Sequence, residues 1–403
     1  MPDRRTWLLA ALAVPLGTAG AMPSDNPRAT ALDRAVDAAV GAEFTGKCHV
    51  GLSIAVVRGA DTRFYDYGTA SRTGARLPRP TDIYEIASVT KSFTGALAAK
   101  ALVERRMTLD GDFRRLLPGA YPNLAWQGRP ITLRTLAAHR SGLPRDIPDS
   151  DAVFARADYS TIARDLIALE RGYGRRRYLA ELHDLRLRTA PGEGFAYSNI
   201  GMKLIGFGLE TAYGTPFDRL LDRAILRPLG MKDTGFAVPP ASAARRMIPY
   251  GRDGTVQPYH LANAGAAYGL YSTAADMANY VRWHLDERDP VVRQAHARLY
   301  GSDSDGQALI WNLGRDGGER LLWHGGGTFG MSSQVVLYPH AREGYALLAN
   351  DSCAGTEAAL KQIALDVHSG RSADALGKAI EARMSRRPAS PPLLRMDRPA
   401  TVR

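Results

Sequence analysis

Strand-forming sequence is confined to the two ends of this chain, and a long helical middle separates them. Near the front, Val50, Leu52, Ile54 and Val56 alternate with Gly51, Ser53 and Ala55, the period of two expected of a strand. Gly59-Ala60-Asp61 supplies a turn, and Arg63 to Thr69 returns as a hairpin partner. Strand character comes back late, over Ala308 to Leu313, Arg320 to Trp323, Ser332 to Tyr338 and Gly344 to Asn350. Between these clusters, Lys91 to Met107 reads as a helix, and Leu109 to Thr234 is helical sequence broken by Pro and Gly. This order implies a discontinuous α/β domain, residues 22–95 and 260–370, interrupted by a mainly helical insertion, residues 96–259.

A helix precedes the first strand, with Leu32, Val36, Val40 and Phe44 on one face, and another closes the domain. The closing helix takes Thr356 as N-cap, carries Leu360, Ile363 and Val367 on one face and runs to about His368. Beyond residue 370 the Arg-, Pro- and Ser-containing sequence predicts a loose basic tail. At the front, Arg4 and Arg5 precede an apolar run from Trp7 to Leu16 and small residues ending Ala19-Gly20-Ala21. That is an export signal, residues 1–21, with cleavage after Ala21. The Arg pair also fits the twin-arginine form. A periplasmic or secreted mature protein is expected, in an oxidising compartment where Cys48 and Cys353 are open to pairing.

The net charge is +11 over 403 residues. Much of it is terminal: Arg386, Arg387, Arg395, Arg398 and Arg403 stand against Asp397 alone, and Arg4 and Arg5 against Asp3. In the body, bases are scattered among acids, so no nucleic-acid partner is expected and at most weak contact with an anionic membrane surface or wall polymer. Two cysteines cannot build a Cys-based metal site, and no H-E-x-x-H cluster occurs. Neither a metal nor a cofactor is expected.

Three short motifs carry chemistry: Ser88-Val89-Thr90-Lys91, Tyr197-Ser198-Asn199 and His324-Gly325-Gly326. The three-residue spacing places Ser88 and Lys91 on one side of a first helical turn, where the amine can take the hydroxyl proton. The positive end of the helix disfavours a second ammonium there and helps lower the lysine pKa. A serine nucleophile thereby acquires a base without histidine.

The trio resembles the penicillin-recognising serine hydrolases, the family of class C β-lactamases, D-alanyl-D-alanine carboxypeptidases, D-aminopeptidases and related esterases. Longer stretches share the resemblance: Ile131-Thr132-Leu133, His139 to Pro144, Arg227 to Thr234 and Gly269 to Thr273. The likeness is nearest to periplasmic D-alanyl-D-alanine carboxypeptidase/endopeptidases. It implies an α/β, β-lactamase/transpeptidase-like fold: an antiparallel five-stranded sheet flanked by helices, plus the inserted helical domain. It implies that Ser88 attacks the carbonyl, that Lys91 is its base, and that Tyr197 shares that role and passes a proton to the leaving amine. Asn199 would hold the substrate amide and orient Lys91. The oxyanion hole would use backbone N–H groups of Ser88 and Gly327, and His324, Gly325, Gly326 and Gly327 would line the substrate edge. In this family the first strand lies antiparallel to the last, which implies a Cys48–Cys353 disulfide.

One departure matters. Class C β-lactamases have Lys-Thr-Gly where this chain has His324-Gly325-Gly326. An imidazole expected to titrate near neutrality replaces a permanent ammonium, and a hydroxyl is lost. Both changes weaken recognition of a substrate carboxylate. The expected activity is hydrolysis of D-amino-acid peptides of the cell wall through an acyl-enzyme, with β-lactams as acylating ligands. The competing readings are a broad esterase, a D-aminopeptidase, a weak class C-type β-lactamase and a non-catalytic wall-peptide-binding protein.

Overall fold

The computed structural model describes residues 22–156, 161–259 and 262–370; the expected leader and basic tail lie outside them. Its centre is a sheet of eight strands: β1 (Gly51–Arg58), β2 (Asp61–Gly68), β3 (Tyr300–Gly301), β4 (Asp305–Gln307), β5 (Asn312–Asp316), β6 (Glu319–Gly327), β7 (Ser332–Tyr338) and β8 (Glu343–Ala349). Their spatial order is β2-β1-β8-β7-β6-β5-β4-β3, and every neighbouring pair is antiparallel. The first strand therefore lies against the last, with Leu52 opposite Ala349 and Arg58 opposite Glu343.

The five-stranded expectation needs correction. Five long strands are present, and β5, β4 and β3 extend the edge beyond β6. The cause is a two-residue turn at Gly317 and Gly318, whose φ angles of +55° and +91° suit the twist of a tight hairpin and return β5 onto β6. The stretch Ala308 to Leu313 is likewise not one strand. Pairing begins only at Asn312, while Ala308, Leu309 and Ile310 are buried as irregular chain. Their amides bond elsewhere: Leu309 N–H to the Ala295 carbonyl and Ile310 N–H to that of Ala137.

Helices cover both faces. These are α1 (Ala31–Glu43), α2 (Thr90–Val103), α3 (Asn199–Tyr213), α4 (Ala274–His284) and α5 (Thr356–Ser369). Thr30 caps α1 in a reciprocal box with Asp33, whereas α5 is capped by Gly355, one residue before the expected Thr356. The alternation along β1 sorts side chains between two cores, because both faces are buried. Leu52, Ile54 and Val56 pack with Val36 and Val40 of α1 and with Leu360, Ile363 and Val367 of α5. Ala55 and Val57 face the other way, toward Phe93, Ala96 and Leu97 of α2 and Met277 and Val281 of α4. Each large side chain so buried contributes about 1.5–3 kcal/mol.

Cys48, just before β1, and Cys353, just after β8, are joined by a disulfide with Cα atoms 6.0 Å apart across a sequence separation of 305. No helix among the described residues is long and apolar enough to cross a membrane.

Candidate active site

The site forms where α2 meets the open end of β6. A short 3-10 turn, Ala87–Val89, feeds directly into α2. Ala87 takes a φ of +47°, a left-handed conformation that costs a residue with a side chain about 1–2 kcal/mol. That turn presents the half-buried Ser88 and places the fully buried Lys91 one helical turn on. Lys91 Nζ lies 3.0 Å from Ser88 Oγ and donates to the Ala267 carbonyl at 2.6 Å. The carbonyl is held in place from α2 itself: Thr94 donates to the neighbouring Ala266 carbonyl, and Thr90 accepts from the Leu270 N–H.

Burial in this apolar setting holds the Lys91 amine well below the usual lysine range; Arg145 and Lys203 push the same way and Asp146 opposes them. A buried ammonium without a bonded carboxylate is costly, so the neutral amine is the stable form.

Tyr197, whose ring centroid lies 4.8 Å from Lys91 Nζ, donates its hydroxyl to Ser88 Oγ at 2.7 Å. Burial raises its pKa well above the usual phenol value, so it is a protonated donor at neutral pH. Its backbone is pinned by Ser198, the N-cap of α3, which accepts from Gly201 N–H and donates to the Pro144 carbonyl. Ser198 N–H donates to Nδ1 of the buried His139, whose ring lies 4.4 Å from that of Tyr197. The sequence reading singled out His139 only as part of a stretch; its contact with Tyr197 identifies it as a positioning residue.

Asn199 has a different partner from the one implied by resemblance. Its amide donates to Asp146 Oδ1 at 2.8 Å, its own Oδ1 is buried without a hydrogen bond, and the second bond of Lys91 goes to Ala267. The carboxylate fixes the amide through its N–H, and the Oδ1 that could accept from Lys91 is left unbonded. Asp146 was invisible from sequence because its relation to Asn199 depends on packing between segments more than 50 residues apart.

The third motif ends β6. On one side β6 pairs with β7, Gly326 opposite Ser333 and Gly327 opposite Ser332. On the other side its pairing with β5 stops at Trp323, leaving the edge from His324 to Gly327 open beside Ser88. An open edge of this kind accepts an extended peptide as an added strand. Gly326 makes the approach possible: a Cβ there would stand 2.6 Å from the Ile86 carbonyl oxygen and 2.8 Å from Ser88 N.

His324 is buried, and its Nδ1 lies 2.7 Å from the Gly325 carbonyl, an arrangement that places a proton on Nδ1. Burial, aided by the nearby Lys91, pushes its pKa down to about 4. The expectation of an imidazole titrating near neutrality is therefore corrected: desolvation disfavours the charged form.

Ser88, Tyr197, His324, Gly325 and Gly327 line a cleft of about 490 Å³ together with Arg145 and with Glu357 and Lys361 of α5. A smaller lobe of about 100 Å³ adjoins Ser88 and is lined by Arg145, Asp146, Asn199 and Phe329. Among the described residues, one group brings metal-ligating atoms together, His49, Asp351 and Cys353 within 4.8 Å, but the Cys353 sulfur is bonded to Cys48.

A family model described as Beta-lactamase matches residues 32–367. The D-alanyl-D-alanine-carboxypeptidase/endopeptidase AmpH of Escherichia coli (strain K12) is 28% identical over 320 residues, covering 75% of this chain and 79% of that protein. Among solved structures, a β-lactamase/D-alanine carboxypeptidase from Pseudomonas syringae matches with a TM-score of 0.70 at 19% identity, covering 84% of this chain and 99% of that one. The D-alanine carboxypeptidase AmpC from Burkholderia cenocepacia matches with a TM-score of 0.67 at 20% identity over the same shares.

Proposed function

The chain belongs to the beta-lactamase family and is a serine hydrolase, and from that premise we propose that it forms an acyl-enzyme on Ser88 and cleaves D-alanyl-D-alanine-type peptides of the cell wall. One observation carries this reading: two groups with opposite protonation preferences, a neutral Lys91 amine at 3.0 Å and a Tyr197 phenol at 2.7 Å, converge on the Ser88 hydroxyl.

The chemistry follows from those preferences. Lys91 Nζ accepts the Ser88 proton as Oγ attacks the substrate carbonyl, and the N–H groups of Ser88 and Gly327 stabilise the oxyanion. Tyr197, held as a phenol, donates its proton to the departing amine, and Lys91 returns its proton to the Tyr197 oxygen. The bond between carbonyl and amine breaks as the Ser88 ester forms. Water then attacks the ester with Lys91 again as base, releasing the acid and restoring the Ser88 hydroxyl. Pulling general acid and base apart in pKa by burial lets both act at one pH.

The substrate would lie along the open edge from His324 to Gly327. Because His324 is neutral near pH 7, the third motif supplies no fixed positive charge, and Arg145 and Lys361, which line the same cleft, are the cations open to a substrate carboxylate. β-Lactams remain acylating ligands in this reading. The Arg4-Arg5 leader supports export to the periplasm or beyond, where such peptides occur.

The test is to incubate the mature protein and Ser88→Ala with a fluorescent penicillin, then assay D-alanine release and p-nitrophenyl ester hydrolysis. The parent is labelled and turns over at least one substrate, and Ser88→Ala does neither. A parent that is neither labelled nor active defeats the reading.

A further inference from the structure

A second pocket lies between α3 and the helical insertion. Lys203, Gly206, Phe207 and Glu210 recur at three- and four-residue spacing and line it from one face of α3. Gly206 lets the Gly265–Ala266 segment close one side, because a Cβ on it would stand 2.8 Å from the Ala266 Cβ. Opposite α3 are Tyr173 and the helix Arg175–Glu181, which carries Tyr178. These elements bound a pocket of about 250 Å³. Ser88, Tyr197 and the β6 edge take no part in its walls, and it shares only Pro148 and Glu170 with the smaller lobe.

The lining fixes what the pocket can hold. Its body is aromatic: the Tyr178 ring meets Phe207 at 5.8 Å and Tyr173 at 6.4 Å between ring centres, both edge to face. Its charges balance. Arg175 pairs with Glu210, which also accepts from Phe217 N–H at 3.0 Å, and Glu170 accepts from the Tyr268 hydroxyl at 2.9 Å. Lys203 Nζ stands 5.0 Å from the centre of the Tyr178 ring, and burial holds its pKa below the usual lysine range against the pull of Glu170 and Asp146. With two basic and two acidic side chains in the wall, an ion entering would be desolvated with no net charge to receive it. One hydrogen bond is missing. Among the described residues the buried Tyr178 hydroxyl has no partner, and a carbonyl oxygen brought by a ligand would supply the acceptor. At about 30 Å³ per group, the volume holds roughly eight non-hydrogen atoms.

We propose that this pocket is a second ligand site, separate from the cleft at Ser88, that takes a neutral molecule of one aromatic ring carrying a carbonyl oxygen, with the Tyr178 hydroxyl as its donor. The occupant lies against Ala266, whose carbonyl is held by Thr94 and whose neighbour Ala267 anchors Lys91.

The probes are acetophenone, α-methylstyrene, which has the same shape without the acceptor, and benzoate and benzylammonium as charged counterparts, with binding read by ligand-observed NMR. The parent takes acetophenone with a Kd of about 1 mM and either ion at least about fivefold more weakly. In Tyr178→Phe the ratio of acetophenone affinity to α-methylstyrene affinity falls about fivefold. Because the hydroxyl bonds to nothing in the free protein, this variant keeps the parent Tm or exceeds it. Acylating Ser88 with a penicillin leaves the Kd of acetophenone unchanged. Failure of the parent to bind acetophenone, tighter binding of either ion, an unchanged ratio or a lowered Tm in Tyr178→Phe, or displacement by the acyl group each overturns the proposal. A protein that penicillin does not label counts against the hydrolase reading alone, since the Tyr178 comparison needs no acyl-enzyme.

Discussion

Ser88 Oγ lies 3.0 Å from the Nζ of Lys91, a lysine with no solvent exposure and no carboxylate bonded to it. The pair is a local product of a helical turn, yet its chemistry is set by everything packed around it. Replacing Lys91 by Met keeps the volume and removes the base. The expected fall in kcat/KM is about 10³-fold with the fold retained, read by steady-state kinetics beside circular dichroism.

The same burial predicts two pH effects. Activity requires the neutral amine, so kcat/KM rises with pH through the lowered Lys91 pKa, giving an acid limb below the ordinary lysine value of 10.5. Because His324 titrates at about 4, that limb carries no histidine inflection between pH 6 and 8 from this residue, and His324→Asn leaves its midpoint in place. For stability, the folded chain holds Lys91 neutral while the unfolded chain protonates it. The Lys91 contribution is therefore full above the unfolded pKa and is lost as pH falls from 10.5 toward the folded value. Lys91→Met flattens this dependence, as denaturant unfolding at several pH values will report.

Gly326→Ala tests the close approach of β6 to the nucleophile turn. The added methyl meets the Ile86 carbonyl and Ser88 N, so β6 must shift. A loss of about 1–3 kcal/mol in stability and of at least about 10²-fold in kcat is expected, from thermal unfolding and ester hydrolysis. Gly41→Ala on α1, where a Cβ meets nothing within 4 Å, is the control and stabilises by up to about 1 kcal/mol.

Cys48 and Cys353 close a loop of 305 residues that contains every candidate catalytic side chain. In the chain-entropy picture this constraint is worth about 5–6 kcal/mol. Cys48→Ser paired with Cys353→Ser should lower Tm, and reductant should lower the parent Tm toward that of the double variant. An unchanged Tm on reduction contradicts the assignment, as does titration of two free thiols without reductant.

What could be read from sequence followed from how local the signal was. The alternation from Val50 to Val56 marks β1 because period two is written into adjacent residues, and the three-residue spacing of Ser88 and Lys91 is equally local. The added edge strands were missed because Tyr300–Gly301 and Asp305–Gln307 are too short and polar to alternate. Ala308 to Ile310 misled for the opposite reason, since an apolar run marks burial and not pairing. Asn199 looked like a partner of Lys91 until Asp146, from another segment, claimed its amide.

Among the described residues the first and last helices share the sheet face turned away from Ser88, and α5 leads off from the cleft wall at Glu357. At 1.5 Å per residue, Ser369 stands roughly 18 Å along that helix from Glu357. A linker joined after Gly370 therefore departs from the back of the catalyst. Enzyme immobilised on a bead through this end keeps its mouth toward the medium, and insoluble wall fragments can still reach the serine.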